Sequence, residues 1–295
     1  TAVKEEGVDF VVVAGDLFAS ATADKATVTE ACSAIGQISV PVFVIPGNHD
    51  HGGPGTVWEQ DYFRREQARL SPNLTVLLET EPFELENAVL YPCPLLRRLE
   101  SADRTEWLRS SDALRGAPSG KLRIVLAHGS TQDFSGAYDD EEEGRTSPNH
   151  IDLSRLPMEE IDYVALGDWH GTKQVGPKAW YSGTPEDDRF ARGEAQELGR
   201  ILIVEPERSE PPIVQVVRTA KLHWLQLSFD FAGDDSLDHL SSLIAEAVGQ
   251  HANQDLLKLT LTGSLGIDAA TRLEELLESL GAQVLRLKLE NRLTI

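Results

Sequence analysis

Val42-Phe43-Val44-Ile45-Pro46-Gly47-Asn48-His49-Asp50 is a short apolar strand that runs directly into four residues without an apolar side chain. Three other stretches repeat the design. Phe10 to Val13 leads to Ala14-Gly15-Asp16, Ile124 to Ala127 to His128-Gly129, and Tyr163 to Leu166 to Gly167-Asp168-Trp169-His170. Each polar group falls where a buried strand ends and a loop begins. In α/β folds the loops at the carboxyl ends of the strands form the crevice in which ligands bind. Four strands delivering Asp16, Asn48, His128 and His170 to one edge point to a site for a pair of metal ions. Gly-Asp after a strand is by itself often a turn, whereas Gly-Asn-His-Asp after Val-Phe-Val-Ile-Pro is far more specific.

Taken in order, the four runs resemble the calcineurin-like metallophosphoesterases, whose signature reads D-x-H, G-D, G-N-H-[D/E], H and G-H-x-H. Residues 10–170 carry the last four parts. Thr1 to Glu6 reads as the end of a helix closed by Gly7 at its C′ position. The chain then opens inside a βα unit, and the strand bearing D-x-H is expected upstream of Thr1. Loss of that motif is the alternative. It would leave one metal position short of ligands and make the protein a catalytically inactive scaffold.

Phosphodiester hydrolysis needs a hydroxide nucleophile, charge relief on the phosphoryl oxygens and stabilisation of the leaving oxygen, and two divalent ions ~3.5–4 Å apart can supply all three. The resemblance implies that Asp16 bridges both ions, that Asn48 and His128 complete the second, and that His170 ligates the first. It also implies Mn²⁺, two ions in the complete protein, although the mixed oxygen and imidazole donors suit Fe and Zn²⁺ as well. His49 is expected to bond a phosphoryl oxygen or protonate the leaving group, with Asp50 fixing its tautomer and raising its pKa. Asp168 stands where the family has His. A carboxylate there would favour harder ions and lower their Lewis acidity, unless it tilts away to solvent or another partner. Trp169 is expected to pack under the loop. Arg189 and Arg192 could reach a substrate phosphate, and ordinary surface ion pairs explain them equally well. His150 becomes a candidate only if it falls near the metals.

The formal charge of −21 argues against broad nonspecific adhesion to nucleic acid, which normally requires a basic patch. It does not exclude a nuclease whose metal ions neutralise the substrate. Two cysteines, Cys32 and Cys93, are too few for a disulfide framework or a thiolate zinc site, and they fit a cytoplasmic protein. No apolar run approaches the ~20 residues needed to span a bilayer. Asp139 to Gly144 is an acidic run read as a solvated loop, with an extra metal site as the lesser reading.

Residues 1–218 alternate apolar runs with helical segments, predicting a layered α/β domain, a β-sandwich flanked by helices. Helices are expected over Ala21 to Gly36 and Val57 to Leu70, and strands over Asn87 to Pro92 and Ile201 to Val204. Residues 219–295 read strand, helix, strand, helix, strand, with Asp234 or Asp235 capping the first helix and Asp268 the second, which Gly281 stops. This predicts a small α+β layer that resembles the capping domain of SbcD-type DNA-repair exonucleases. Tyr181-Ser182-Gly183-Thr184-Pro185-Glu186 is similar to the Y-x-G-[S/T]-P-E segment of that group. The resemblance implies a nuclease on DNA ends, partnered by an SbcC-type, SMC-like ATPase and capable of forming a homodimer. A small-molecule phosphodiesterase or phosphatase on the same site is the alternative.

Overall fold

Strand residues of the first unit alternate between two cores, and that alternation builds its layers. The computed structural model describes residues 6–110, 112–116, 118, 120–131, 148–190, 197–233, 236–248 and 254–294. Residues 1–5, where a helix end is expected, the acidic run at 139–144, Arg192, Asp234 and Asp235 lie outside the described residues. Two compact units are formed, one from Thr1–Gly183 with Arg200–Val217, the other from Thr184–Gly199 with Arg218–Ile295.

In the first unit β1 (Val11–Ala14), β2 (Val42–Ile45) and β3 (Leu74–Val76) form a parallel sheet with β2 in register between the other two. Between them run α1 (Lys25–Ile35), capped by the Asp24 carboxylate on the Thr27 amide at 2.8 Å, and α2 (Asp61–Leu70). The expected helix over Val57 to Leu70 is broken. A 3₁₀ turn at Val57–Glu59 precedes it, and Gln60 is extended between the two.

The second sheet contains β4 (Phe83–Glu84), β5 (Ala88–Cys93), β6 (Leu122–His128), β9 (Tyr163–Gly167), β10 (Lys173–Gly176) and β11 (Ala179–Tyr181), in the order β10-β11-β9-β6-β5-β4. Its centre is parallel and its two edges are antiparallel. The short pair β7 (Ser130–Thr131) and β8 (His150–Ile151) follows β6, after α3 (Asp112–Arg115).

Val42 and Val44 face α1 and α2, while Phe43 and Ile45 face Leu90, Leu126 and Tyr163 of the second sheet. Across that sheet, Val125, Ala127, Val164 and Leu166 join a third core with Leu108, Leu114 and Ile161. Strands buried on both faces read as unbroken apolar runs, which is how these appear in the sequence. The sandwich brings the carboxyl ends of β1, β2, β6 and β9 to neighbouring positions. β12 (Arg200–Glu205) and β13 (Ile213–Arg218) form a separate two-stranded ribbon.

The second unit consists of β14 (His223–Phe231), α4 (Leu237–Val248), β15 (Asp255–Gly263), α5 (Ile267–Gln283) and β16 (Arg286–Asn291). All three strands are parallel. The unit is therefore α/β and not the expected α+β, because each strand returns through a helix. Leu257, Leu259 and Leu261 pack against Leu240, Ile244, Leu273 and Leu280. Asp268 lies in the first turn of α5 behind Gly266, and the helix continues through Gly281. Residues 184–199 are expected in the first unit, but contacts draw their described part into the second. The Glu186 carboxylate accepts the Lys221 and Leu222 amides, Pro185 the Thr219 hydroxyl, and Phe190 meets Trp224 edge-on.

Candidate metal centre

His128 ends β6 and is 2 % exposed, yet both ring nitrogens are occupied. Nδ1 lies 2.7 Å from the Ala14 carbonyl at the end of β1. Nε2 lies 3.2 Å from Asn48 Oδ1, 3.4 Å from Asp16 Oδ2 and 3.8 Å from Asp168 Oδ1. Three loops, those after β1, β2 and β9, thus converge on the tip of β6.

Glycines make the approach possible. A Cβ on Gly15 would lie 2.2 Å from His128 Nδ1, and one on Gly167 would lie 1.8 Å from the Ala14 carbonyl and 2.8 Å from the same nitrogen. The imidazole is slotted between two backbones. Asp16 and Asp168 adopt φ of 54° and 99°, a region that residues with a side chain enter at a cost and Asp enters more readily than most.

Two of these separations, those of Asn48 and Asp16 from His128 Nε2, are compatible with donors on one ion. Donors on a common ion at bond lengths of ~2.1 Å stand about 3.0 Å apart in an octahedron and about 3.4 Å apart in a tetrahedron. Asn48 and Asp16 meet that spacing about His128, and Asp168 needs a small shift. Among the described residues no three His, Cys, Asp or Glu side chains close around a point by themselves. Asn48 adds an amide oxygen beside His128 Nε2. His170 is near enough to Asp168 for its charge to act on that carboxylate, and Gly183 packs on its backbone carbonyl.

The charges are coupled. Burial alone would lower the His128 pKa, but the hydrogen bond to Asp16 and the charges of Asp16 and Asp168 raise it to about 8. Burial works to raise Asp16, and the His128 ring and the His49 amide outweigh it, so the carboxyl titrates below its usual value. Burial raises Asp168, against the pull of His128.

His49 is exposed beside this group, with Nδ1 at 3.3 Å from the Ala19 carbonyl and its own amide on Asp16 Oδ1 at 2.9 Å. Ala19, not Asp50, is the neighbour that orients the ring. The Asp50 carboxylate is fully buried and accepts the amides of Gly47, Asp16 and Phe18 at 2.7, 3.2 and 3.1 Å. Burial raises its pKa to about 6, although the Gly47 and Phe18 amides oppose the rise. The expected His49–Asp50 pairing is therefore corrected. Trp169 packs on the core formed with Leu166. His150 lines the same small cavity as His128 and sits on the strand paired with the residues that follow it. Arg189 belongs to the second unit and pairs with its neighbour Asp188 at 3.2 Å. Sequence reasoning misses the carbonyls of Ala14 and Ala19, which carry no side-chain signal. It also misses the glycine slot, which Gly15 and Gly167 next to ligands could have flagged.

A sequence model of the calcineurin-like phosphoesterases matches residues 1–172, more than half of the chain and every donor described above. The chain belongs to that family. Its members use divalent metal ions to hydrolyse phosphoesters, so this phosphoesterase is a metal-dependent hydrolase. A solved crystal structure matches 74 % of this chain and 91 % of its own at 14 % identity with a TM-score of 0.43, a likeness too weak to bear on function. Among the described residues no helix is long and apolar enough to cross a membrane.

Proposed function

We propose that this phosphoesterase is a Mn²⁺-dependent nuclease on DNA ends, working in the cytoplasm in DNA repair or recombination with an SbcC-type ATPase, and as a homodimer. The hydrolytic part rests on one observation, the oxygens of Asp16, Asn48 and Asp168 gathered about His128 Nε2. The nuclease part is supported by the Tyr181 to Glu186 run and by the strand-helix alternation after residue 218.

Divalent ions, when bound, generate the nucleophile at neutral pH and neutralise the phosphoryl oxygens. Asp16, Asn48 and His128 would hold one of them, with Asp168 as a further oxygen donor and His170 toward the other. His49 donates Nδ1–H to the Ala19 carbonyl, which leaves Nε2 as the unprotonated nitrogen of the neutral ring. Once protonated there, it can bond a phosphoryl oxygen or pass a proton to the leaving oxygen.

The formal charge of −21 favours a second reading, a small diffusible phosphodiester on the same site. The experiment compares Mn²⁺-dependent release of nucleotides from linear duplex DNA with hydrolysis of bis-p-nitrophenyl phosphate. Attack on both is expected. Cleavage of the small diester alone, at low salt and with the ATPase partner present, would replace the nuclease with the second reading.

A further inference from the structure

We propose that Asp50 is a positioning residue, a buried latch that draws the loops after β1 and β2 together and so sets Asp16 and Asn48 for an ion. Its Oδ1 accepts the Gly47 and Asp16 amides, and its Oδ2 accepts the Phe18 amide. Gly47 precedes Asn48, and the other two amides belong to Asp16 itself and to the residue two beyond it. An ionised carboxylate has about four acceptor positions, so three amides leave little for a nearby imidazole. The side chain is 0 % exposed, and water cannot replace it if it is removed.

Two features show that these loops need holding. Asp16 sits at φ 54°, a conformation that persists only where its surroundings over-determine it. Gly47 approaches so closely that a Cβ would stand 2.2 Å from Asp16 Oδ1. The Asp16 carboxylate in turn accepts the His49 amide at 2.9 Å, so the two aspartates close a ring of hydrogen bonds across the two loops. The Trp58 indole donates to the Asp50 carbonyl and anchors the latch to the core of Phe18 and Phe63.

Asp50→Asn in the 295-residue chain retains the shape but turns one acceptor into a donor that faces amides. Amide hydrogen exchange reads the latch without any ion. Exchange at Asp16, Phe18 and Gly47 is expected to quicken at least tenfold, with the amides of β5 unchanged. Mn²⁺ titrated calorimetrically is expected to bind at least tenfold more weakly, and the His49 ring ¹⁵N shifts to stay at wild-type values. Unchanged exchange at the three amides overturns the proposal, as does movement of the His49 nitrogens with Mn²⁺ affinity intact. Should the variant not fold, wild-type exchange decides, since the three amides must then be as slow as those of β5 and loop-like rates refute the latch. The Mn²⁺ arm rests on the metal-site reading; failure of the wild type to bind Mn²⁺ counts against that reading, and the exchange result still judges the latch.

Discussion

A proton on His128 Nε2 and a metal ion would compete for the same nitrogen. The pKa of His128 is raised from 6.5 to about 8, so the stability this proton contributes is fully present below about pH 6.5 and is lost as pH rises through about 8. The shift corresponds to a contribution on the order of 2 kcal/mol. Because the same Nε2 would take the metal, Mn²⁺ affinity is expected to climb about tenfold per pH unit toward pH 8 and then level. Calorimetry at pH 6.5 and 8.5, in buffers of different ionisation enthalpy, measures the released proton; a flat profile would mean that His128 is already neutral. The His49 ring bonds the Ala19 carbonyl, and its contact with Asp16 is through the backbone amide, which alanine retains, so His49→Ala should cut kcat by about 10²-fold or more and leave Mn²⁺ affinity within about threefold. Steady-state kinetics beside calorimetry test this, and a parallel collapse of affinity would make His49 a ligand. That Asp16, Asn48, His128 and Asp168 come together is legible in the sequence because each follows an apolar run. The role of Asp50 is not, since its partners are backbone amides that leave no trace in residue type.

Among the elements, strands are more legible than helices. Runs such as Val42–Ile45 and Tyr163–Gly167 are apolar throughout because both faces are buried, and length alone marks them as strands. The sequence does not reveal that β14, β15 and β16 are parallel, because pairing direction depends on contacts between strands far apart in the chain. Gly281 illustrates the opposite error. It looks like a stop signal, yet α5 runs through it to Gln283, and it lacks the left-handed φ that a C′ glycine uses. A Cβ there would meet nothing within 4 Å. Gly281→Ala should accordingly stabilise the chain by about 0.5–1 kcal/mol in urea denaturation. Gly15→Ala should do the reverse, losing about 2–4 kcal/mol, because φ is +94° and the new methyl would overlap the His128 ring. An increase in stability on Gly15→Ala would show that the slot is looser than its distances imply.

At the scale of the whole molecule, charge and connectivity matter most. With 48 Asp and Glu against 27 Lys and Arg, the acidic excess opposes the close phosphate contacts that release counterions from DNA. The slope of log affinity against log salt for duplex DNA should be shallower than about −3, the value for roughly three phosphate contacts. Fluorescence anisotropy between about 50 and 200 mM salt covers the useful range; a slope steeper than about −6 would reveal a basic track that net charge conceals. The chain passes from the first unit to the second between Val217 and Arg218, and the allegiance of residues 184–199 has no signal in the sequence. It depends on hydrogen bonds such as those from Lys221 and Leu222 to Glu186, which no local pattern announces. The bond between the Ala14 carbonyl and His128 spans 114 positions of the chain and joins the end of β1 to the end of β6. Closing so long a loop is slow, since its entropy is lost before any contact repays it. On a ribosome or in a refolding tube, this centre would therefore be among the last parts of its unit to mature, and a chain interrupted before β6 would hold half a set of donors with nothing to join them.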